Sequence, residues 1–187
     1  MGIETVLILD TETTGLHPDK GSQMIEVGAI LYSAKHKCVL QSFASLFPCV
    51  ENPVEHVNNI KPEVTQEPMP HKLVLPHLIE MANNAQACVA HNAEFDIKFL
   101  DATWPQIPQK WKERKWICTK KDFKWPVPLY RNRLEDICNA MGVPYIDAHR
   151  ALIDCHFIAL CFSKVADLVL RLDQAGRNSF SMSTNFR

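Results

Sequence analysis

The sequence predicts one α/β domain, on three observations. Val6-Leu7-Ile8-Leu9 is an unbroken apolar run, as expected of a strand covered on both faces near the centre of a sheet. Two strand-like segments follow, about Met24 to Tyr32 and about Cys38 to Phe47, separated only by Ser33-Ala34-Lys35-His36, which reads as a hairpin. Beyond them, short apolar strands alternate with helical periods, so a meander feeds a strand–helix alternation. At 187 residues, 47% of them hydrophobic, the chain can bury one core but not two. The domain is expected over residues 1–175, with a polar, aperiodic and mobile C-terminal tail over 176–187.

In chain order, Thr13-Thr14-Gly15 opens a turn after the first strand, and Pro18 prevents immediate return to a ladder. Residues 48–70 hold five prolines and are read as irregular, with at most a short helix near Val57–Ile60. An amphipathic helix fits about Lys72 to Asn83 despite Pro76. A short strand, Ala87 to Ala90, precedes a helix from about Ala93 to Thr103. A further strand lies near Trp116–Cys118. A helix from about Leu134 to Met141 is closed by Gly142 and Pro144, and a last helix is expected from about Arg150 to Leu172.

Composition excludes several classes. The formal net charge is −1, unlike that of a protein coating long nucleic acid. Seven cysteines, an odd number with no CxxC spacing, argue against a disulfide framework or a zinc ribbon. No apolar run is long enough to span a bilayer, and no signal peptide is visible. A soluble, cytoplasmic protein with reduced thiols is expected.

Four carboxylates stand in unusual places. Asp10 and Glu12 are two apart on the first strand, so both project to one face at its end. Such a pair repels unless a cation sits between; taken alone, Asp10 reads better as a turn or cap residue and Glu12 as a solvated glutamate. Asp96 shares a helical face with Phe99 and Leu100, although an acid in a first turn also suits the helix dipole. His91-Asn92 could cap that helix. Asp154 heads the stripe Asp154, Phe157, Ile158, Cys161, Val165, which contains no basic residue. An uncompensated buried charge there would cost several kcal/mol, on the order of the penalty for breaking a buried ion pair, so pairing or metal coordination is expected. His149 lies five residues earlier. On one straight helix the pair would be about 140° apart, so His149 is placed in a loop or first turn. Four carboxylates would be balanced by two divalent ions, and hard oxygen donors suit Mg²⁺, with Mn²⁺ as a substitute. Two such ions suit in-line attack of water on a phosphodiester.

These residues fall in three ordered motifs. Leu7-Ile8-Leu9-Asp10-Thr11-Glu12-Thr13-Thr14-Gly15-Leu16, His91-Asn92-Ala93-Glu94-Phe95-Asp96 and His149-Arg150-Ala151-Leu152-Ile153-Asp154 resemble the exonuclease motifs of the DnaQ-like (DEDDh) 3′–5′ exonuclease family. Within it, Trp116-Ile117-Cys118-Thr119-Lys120, Val89-Ala90-His91-Asn92-Ala93 and the third motif with Cys155 resemble the exodeoxyribonuclease X subgroup. The resemblance implies a ribonuclease H-like fold with a five-stranded mixed sheet flanked by helices, and release of 5′-mononucleotides from a 3′ end. It implies that Asp10 bridges two metal ions, that Glu12 and Asp154 hold the nucleophile-side ion, and that Asp96 holds the second. It gives His149 the role of general base. It assigns Thr13 and Thr14 to the terminal nucleotide, Leu16 to a wedge against its base, and Asn92 and Phe95 to support of the second motif.

Residues 110–125 hold seven basic residues against Glu113 and Asp122, interleaved with tryptophans among Trp104, Trp111, Trp116 and Trp125. That pattern suits single-stranded nucleic acid, and equally solvated lysines beside core tryptophans, the second being the better reading of Trp116. Arg150 would meet a phosphate or brace its loop. The expected partner is a nucleic-acid 3′ end, single-stranded DNA foremost, with a DNA polymerase or a second copy of the chain as protein partner. The competing readings are a polymerase proofreading subunit, a short-RNA exonuclease, a binding module without catalysis, and a cysteine hydrolase using Cys155 or Cys118. The last lacks an elbow turn or oxyanion glycine.

Overall fold

Every strand of the sheet is organised about β1 (Thr5–Thr13). The computed structural model describes residues 2–66, 71–108, 111 and 113–178. On one side of β1, β2 (Met24–Ser33) and β3 (Cys38–Leu46) add antiparallel; on the other, β4 (Ala87–Ala90) and β5 (Trp116–Cys118) add parallel. The order is β3-β2-β1-β4-β5, the five-stranded mixed sheet expected of a ribonuclease H-like fold. Among the described residues, the α-helices with assigned bounds are α1 (Glu55–Asn58), α2 (His71–Asn83), α3 (Ala93–Thr103), α4 (Leu134–Ala140), α5 (Ala151–Ser163) and α6 (Leu168–Asn178). Among the described residues, no helix is long and apolar enough to cross a membrane.

The alternation of a strand decides what each face meets. Val6 and Ile8 join Ile30, Tyr32, Val89 and Ile117 in a core shared with Ile158 and Phe162 of α5. Leu7 and Leu9 point the other way, into a core with Leu78 and Met81 of α2 and Phe99 and Leu100 of α3. Both faces of β1 are thus covered, which is why its apolar run is continuous.

Two expectations about helices need correction. The short helix after β3 is Glu55–Asn58 rather than Val57–Ile60, because Asn59 takes a left-handed conformation (φ 56°) and closes it. The long last helix is in fact two. Lys164 and Val165 donate to the carbonyls of Cys161 and Phe162, tightening the end of α5, and Ser163 Oγ donates to the Leu160 carbonyl. Arg171 then donates its backbone N–H to the Asp167 carbonyl and its guanidinium to the Asp167 carboxylate in α6. No glycine or proline marks the break, and buried Val165 and Leu168 carry the apolar pattern across it. Helix α6 includes Gly176 and ends at Asn178; the rest of the expected tail, 179–187, lies outside the described residues, as do Lys110 and Lys112 of the basic stretch.

Helix α5 lies hard against β2 at Gly28. A Cβ there would stand 2.3 Å from the Leu152 backbone nitrogen and 2.4 Å from the Ala151 carbonyl carbon. Those are backbone atoms of a helix and cannot swing aside. Gly28→Ala should therefore lower stability by about 1–3 kcal/mol through overpacking, read as a lower thermal midpoint. An unchanged midpoint would mean that the contact between α5 and β2 is loose.

Candidate active site

The parity of β1 continues past its apolar run. Asp10 and Glu12 follow Val6 and Ile8 onto the α5 face, where α5 presents Asp154 from its first turn. Asp10, Glu12 and Asp154 each offer a carboxylate oxygen, and these lie within 4.8 Å of one another. Thr11 follows Leu7 and Leu9 to the other face. Its Oγ1 donates to Oδ1 of Asp96 on α3, at 2.8 Å. One strand thus reaches acids on two helices by alternating sides.

Asp96 is buried, and its Oδ2 has no hydrogen-bond partner among the described residues. Asn92 precedes α3 with φ 76° but makes no side-chain cap, so the expected capping by that residue is absent. Phe95 packs on Phe99, ring centroids 4.9 Å apart.

His149 stands in the loop before α5, as its angular offset from Asp154 required. Its backbone N–H donates to Asp154 Oδ1 at 3.3 Å, and its exposed ring meets Tyr145 edge-on. Asp10, Asp154, His149, Asn92 and Tyr145 share one open pocket of about 410 Å³ with His91, Lys120 and Arg133. Arg133 is spent on Asp136 and Glu135, and Lys121 on Glu94. Among the described residues of the 110–125 stretch, exposed Lys120 is the basic one that lines the pocket.

The electrostatics are those of anions crowded together. Burial pushes Asp10 well above the usual carboxylate range, and Asp96, Asp154, Glu12 and Glu26 push it further. Glu12 rises to about 8, first from burial and then from Asp154, Glu26 and Asp96, with Arg150 opposing. Asp96 rises to about 7 through burial, against its bond from Thr11. Burial raises Asp154 too, opposed by the His149 backbone N–H. His91, beside Thr119 Oγ1 at 2.9 Å, falls to about 4 through burial and then the charge of Lys120. Hard oxygen donors, mutual repulsion and an unpartnered carboxylate oxygen on Asp96 all fit divalent cations.

The other expected contacts lie around this cluster. Buried Thr13 donates its hydroxyl to the Gly15 carbonyl, and Thr14 Oγ1 accepts from the Gln23 N–H. Leu16, in the same turn, is 72% exposed. The tryptophans are not stacking platforms: Trp104, Trp111 and Trp116 are buried, and Trp125 packs against Phe123 and Phe162. Cys118 and Cys155 are buried, and burial raises the Cys155 thiol far above its usual range, so neither is placed as a nucleophile.

Sequence reasoning missed Glu26 altogether and left Arg150 undecided. Glu26 is a buried carboxylate in β2, directly opposite Glu12, and Arg150 grips it with two hydrogen bonds. Arg150 therefore braces its loop. The signal was present as the lone charged residue in Met24-Ile25-Glu26-Val27-Gly28-Ala29-Ile30-Leu31-Tyr32. Tyr145 also lines the pocket without having been singled out, and His91, read as part of the second motif and a possible cap, lines it too.

The sequence matches the RNase_T exonuclease family over residues 7–162. It is 27% identical over 175 residues to the DNA polymerase III PolC-type of Thermotoga petrophila, a match covering 90% of this chain and 12% of that polymerase. The chain thus spans only a small part of that relative's length. Among solved structures, a 3′-exonuclease described in 3′-end specific recognition of a histone mRNA stem-loop superposes with a TM-score of 0.75 at 17% identity, covering 99% of this chain and 72% of that one. Exonuclease X in complex with 5′ overhanging duplex DNA superposes with a TM-score of 0.66 at 20% identity, covering 91% and 99%. These two likenesses concern the fold. The family match runs through β1, α3 and the start of α5, and so through every carboxylate of the pocket: this chain belongs to the DnaQ-like RNase_T exonuclease family.

Proposed function

We propose that this chain is a 3′–5′ exonuclease that shortens DNA strands from the 3′ end, releasing 5′-mononucleotides. The observation that carries the reading is the convergence of Asp10, Glu12 and Asp154 within 4.8 Å, beside Asp96, at the end of the central strand. These four residues would hold two Mg²⁺ ions, Mn²⁺ substituting: Asp10 shared, Glu12 and Asp154 on the nucleophile side, Asp96 on the other. When bound, the ions supply positive charge where the phosphodiester gains negative charge.

The chain's own groups do the rest. His149 takes a proton from the attacking water as its oxygen bonds to phosphorus, the bond from phosphorus to the preceding 3′ oxygen breaks, and that oxygen stays on the shortened strand and takes a proton from solvent water to become its new 3′ hydroxyl. His149 suits this task because it stands exposed at the pocket mouth while its backbone is tied to Asp154. Thr13 and Thr14 shape the turn that meets the terminal nucleotide, and exposed Leu16 is free to wedge against its base. Asn92 and Phe95 support the start of α3 under Asp96, and Lys120 draws the phosphate backbone to the pocket. A cytoplasmic setting is consistent with seven free cysteines, six of them buried. The likeness to a PolC-type polymerase favours a second setting for the same chemistry, proofreading beside a polymerase.

Strands labelled at the 3′ or the 5′ end, incubated with and without chelator, test polarity, metal need and product together. Labelled mononucleotide should leave the 3′ end at once, only in the presence of Mg²⁺ or Mn²⁺, and faster from single-stranded DNA than from short RNA. Preference for RNA dinucleotides would overturn the DNA assignment, and activity in chelator would overturn the metal site. Asp154→Ala should abolish release.

Replacing the base should be milder. His149→Gln should lower kcat by about 10²–10⁴-fold, the usual worth of a general base, with metal-ion affinity kept. Wild-type kcat in this variant would remove His149 from the chemistry.

The raised carboxylates also predict how stability follows pH. Glu12 holds its proton up to about pH 8 in the folded protein but only to about 4.5 in a free chain. Its contribution is fully present below about 4.5 and is lost as pH rises through about 8. In chelator, the thermal midpoint should fall from pH 5 towards pH 8, and added Mg²⁺ should raise it more at pH 8 than at pH 6. A metal-induced shift that is the same at both pH values would contradict the assignment.

A further inference from the structure

Glu26 does not face the pocket, yet it touches the segment that carries two of the pocket's groups. It lies near the start of β2, on the α5 face, with 3% of its surface exposed. Both carboxylate oxygens are engaged. Arg150 Nη2 donates to Oε1 at 2.7 Å, Arg150 Nε donates to Oε2 at 3.0 Å, and the backbone N–H of Ala151 donates to Oε2 at 2.9 Å. A bidentate guanidinium–carboxylate pair with a buried acceptor is rigid as well as strong.

The Ala151 contact has its own logic. The first N–H groups of a helix have no partner within it, and a side chain at the N-cap position normally supplies one. Arg150 occupies that position and has no acceptor to offer. Glu26 supplies the missing acceptor from a neighbouring strand. It thereby caps α5 and holds the capping residue's own side chain.

What lies on either side of this clamp is the chemistry. His149 immediately precedes Arg150. Asp154 donates its backbone N–H to the Arg150 carbonyl and accepts the His149 N–H on its carboxylate. The loop leading in is strained, since Asp147 (φ 54°) and His149 (φ 66°) are both non-glycine residues in the left-handed region. Such conformations persist only where surrounding contacts over-determine them. The Glu26 clamp provides those contacts at the C-terminal end of the loop, next to the tight seat of α5 on Gly28.

We propose that Glu26, acting through Arg150 and Ala151, is a positioning residue for hydrolysis, setting where His149 and Asp154 stand relative to Asp10 and Glu12. The inference rests on the exonuclease reading above and adds a residue to it. It also takes Arg150 out of direct phosphate binding, because its guanidinium is already committed.

The test uses Glu26→Gln, Arg150→Met, Arg150→Lys and the double variant Glu26→Gln/Arg150→Met, in the full chain with saturating Mg²⁺. Kinetics on a single-stranded DNA oligonucleotide are read beside thermal midpoints and amide hydrogen exchange over residues 148–152. Glu26→Gln and Arg150→Met should each lower kcat by about 10–100-fold, the scale of a misplacement near 1 Å, with KM within about 3-fold of wild type. The two losses should not add in the double variant, exchange at His149–Ala151 should quicken, and Arg150→Lys should recover part of the loss. A fall in KM-dependent binding with kcat intact would overturn the proposal, as would lower midpoints with wild-type kcat and exchange. If Glu26→Gln does not fold, the two single Arg150 variants decide by the same criteria. If the wild-type protein releases no nucleotide, the exonuclease reading fails, and unchanged exchange in the variants would separately overturn the clamp.

Discussion

Repulsion among carboxylates is the constraint around which this molecule is arranged. Asp10, Glu12 and Asp154 bring oxygens within 4.8 Å of one another, partly shielded from water. At an effective dielectric near 20, ionising both members of such a pair costs on the order of 3 kcal/mol, which together with burial keeps Glu12 protonated up to about pH 8. Arg150 and the His149 backbone N–H offset only a part of that cost. The assembly is held by the packing behind it: β1 is covered on both faces, and α5 is seated on β2 closely enough that Gly28 has no room for a methyl group. The carboxylates are thus held together by a scaffold that is packed independently of them.

Strand alternation turns that rigidity into geometry. Even-numbered residues of β1 carry Asp10 and Glu12 towards α5, and the odd-numbered Thr11 carries a hydroxyl to Asp96 on α3. The two helices never need to approach each other. Each is docked on the sheet by its own apolar core, and one strand end collects their acids. The loop with left-handed Asp147 and His149 brings an imidazole to the pocket from outside the sheet, and Glu26 ties that loop to the same β2 strand that borders Glu12.

Much of this was legible in the sequence, for physical reasons that can be named. The apolar run of β1, the short strands at Ala87–Ala90 and Trp116–Cys118, and α3 are marked by local pattern, which is a property of neighbouring residues. Asp154 at the head of an apolar stripe was informative because an uncompensated charge there is expensive. What local pattern does not encode is contact between distant elements. The break between α5 and α6 carries no glycine or proline and keeps its apolar spacing, so it reads as one helix. The fate of Arg150 depended on Glu26, 124 residues away, and the burial of Trp104, Trp111 and Trp116 depended on a core shared with β1, α2 and α3. The basic stretch looked uniform as sequence; in three dimensions Lys120 faces the pocket and Lys121 is paired with Glu94.

The central claim is that the β1 carboxylates form a divalent-cation site rather than an acidic surface. Calorimetric titration of the chelator-stripped protein with Mn²⁺, beside Asp10→Asn, addresses it without reference to any substrate. Saturable binding to the wild-type protein, lost in Asp10→Asn, is the result this account predicts. Equal binding by both proteins, or none by either, would contradict it.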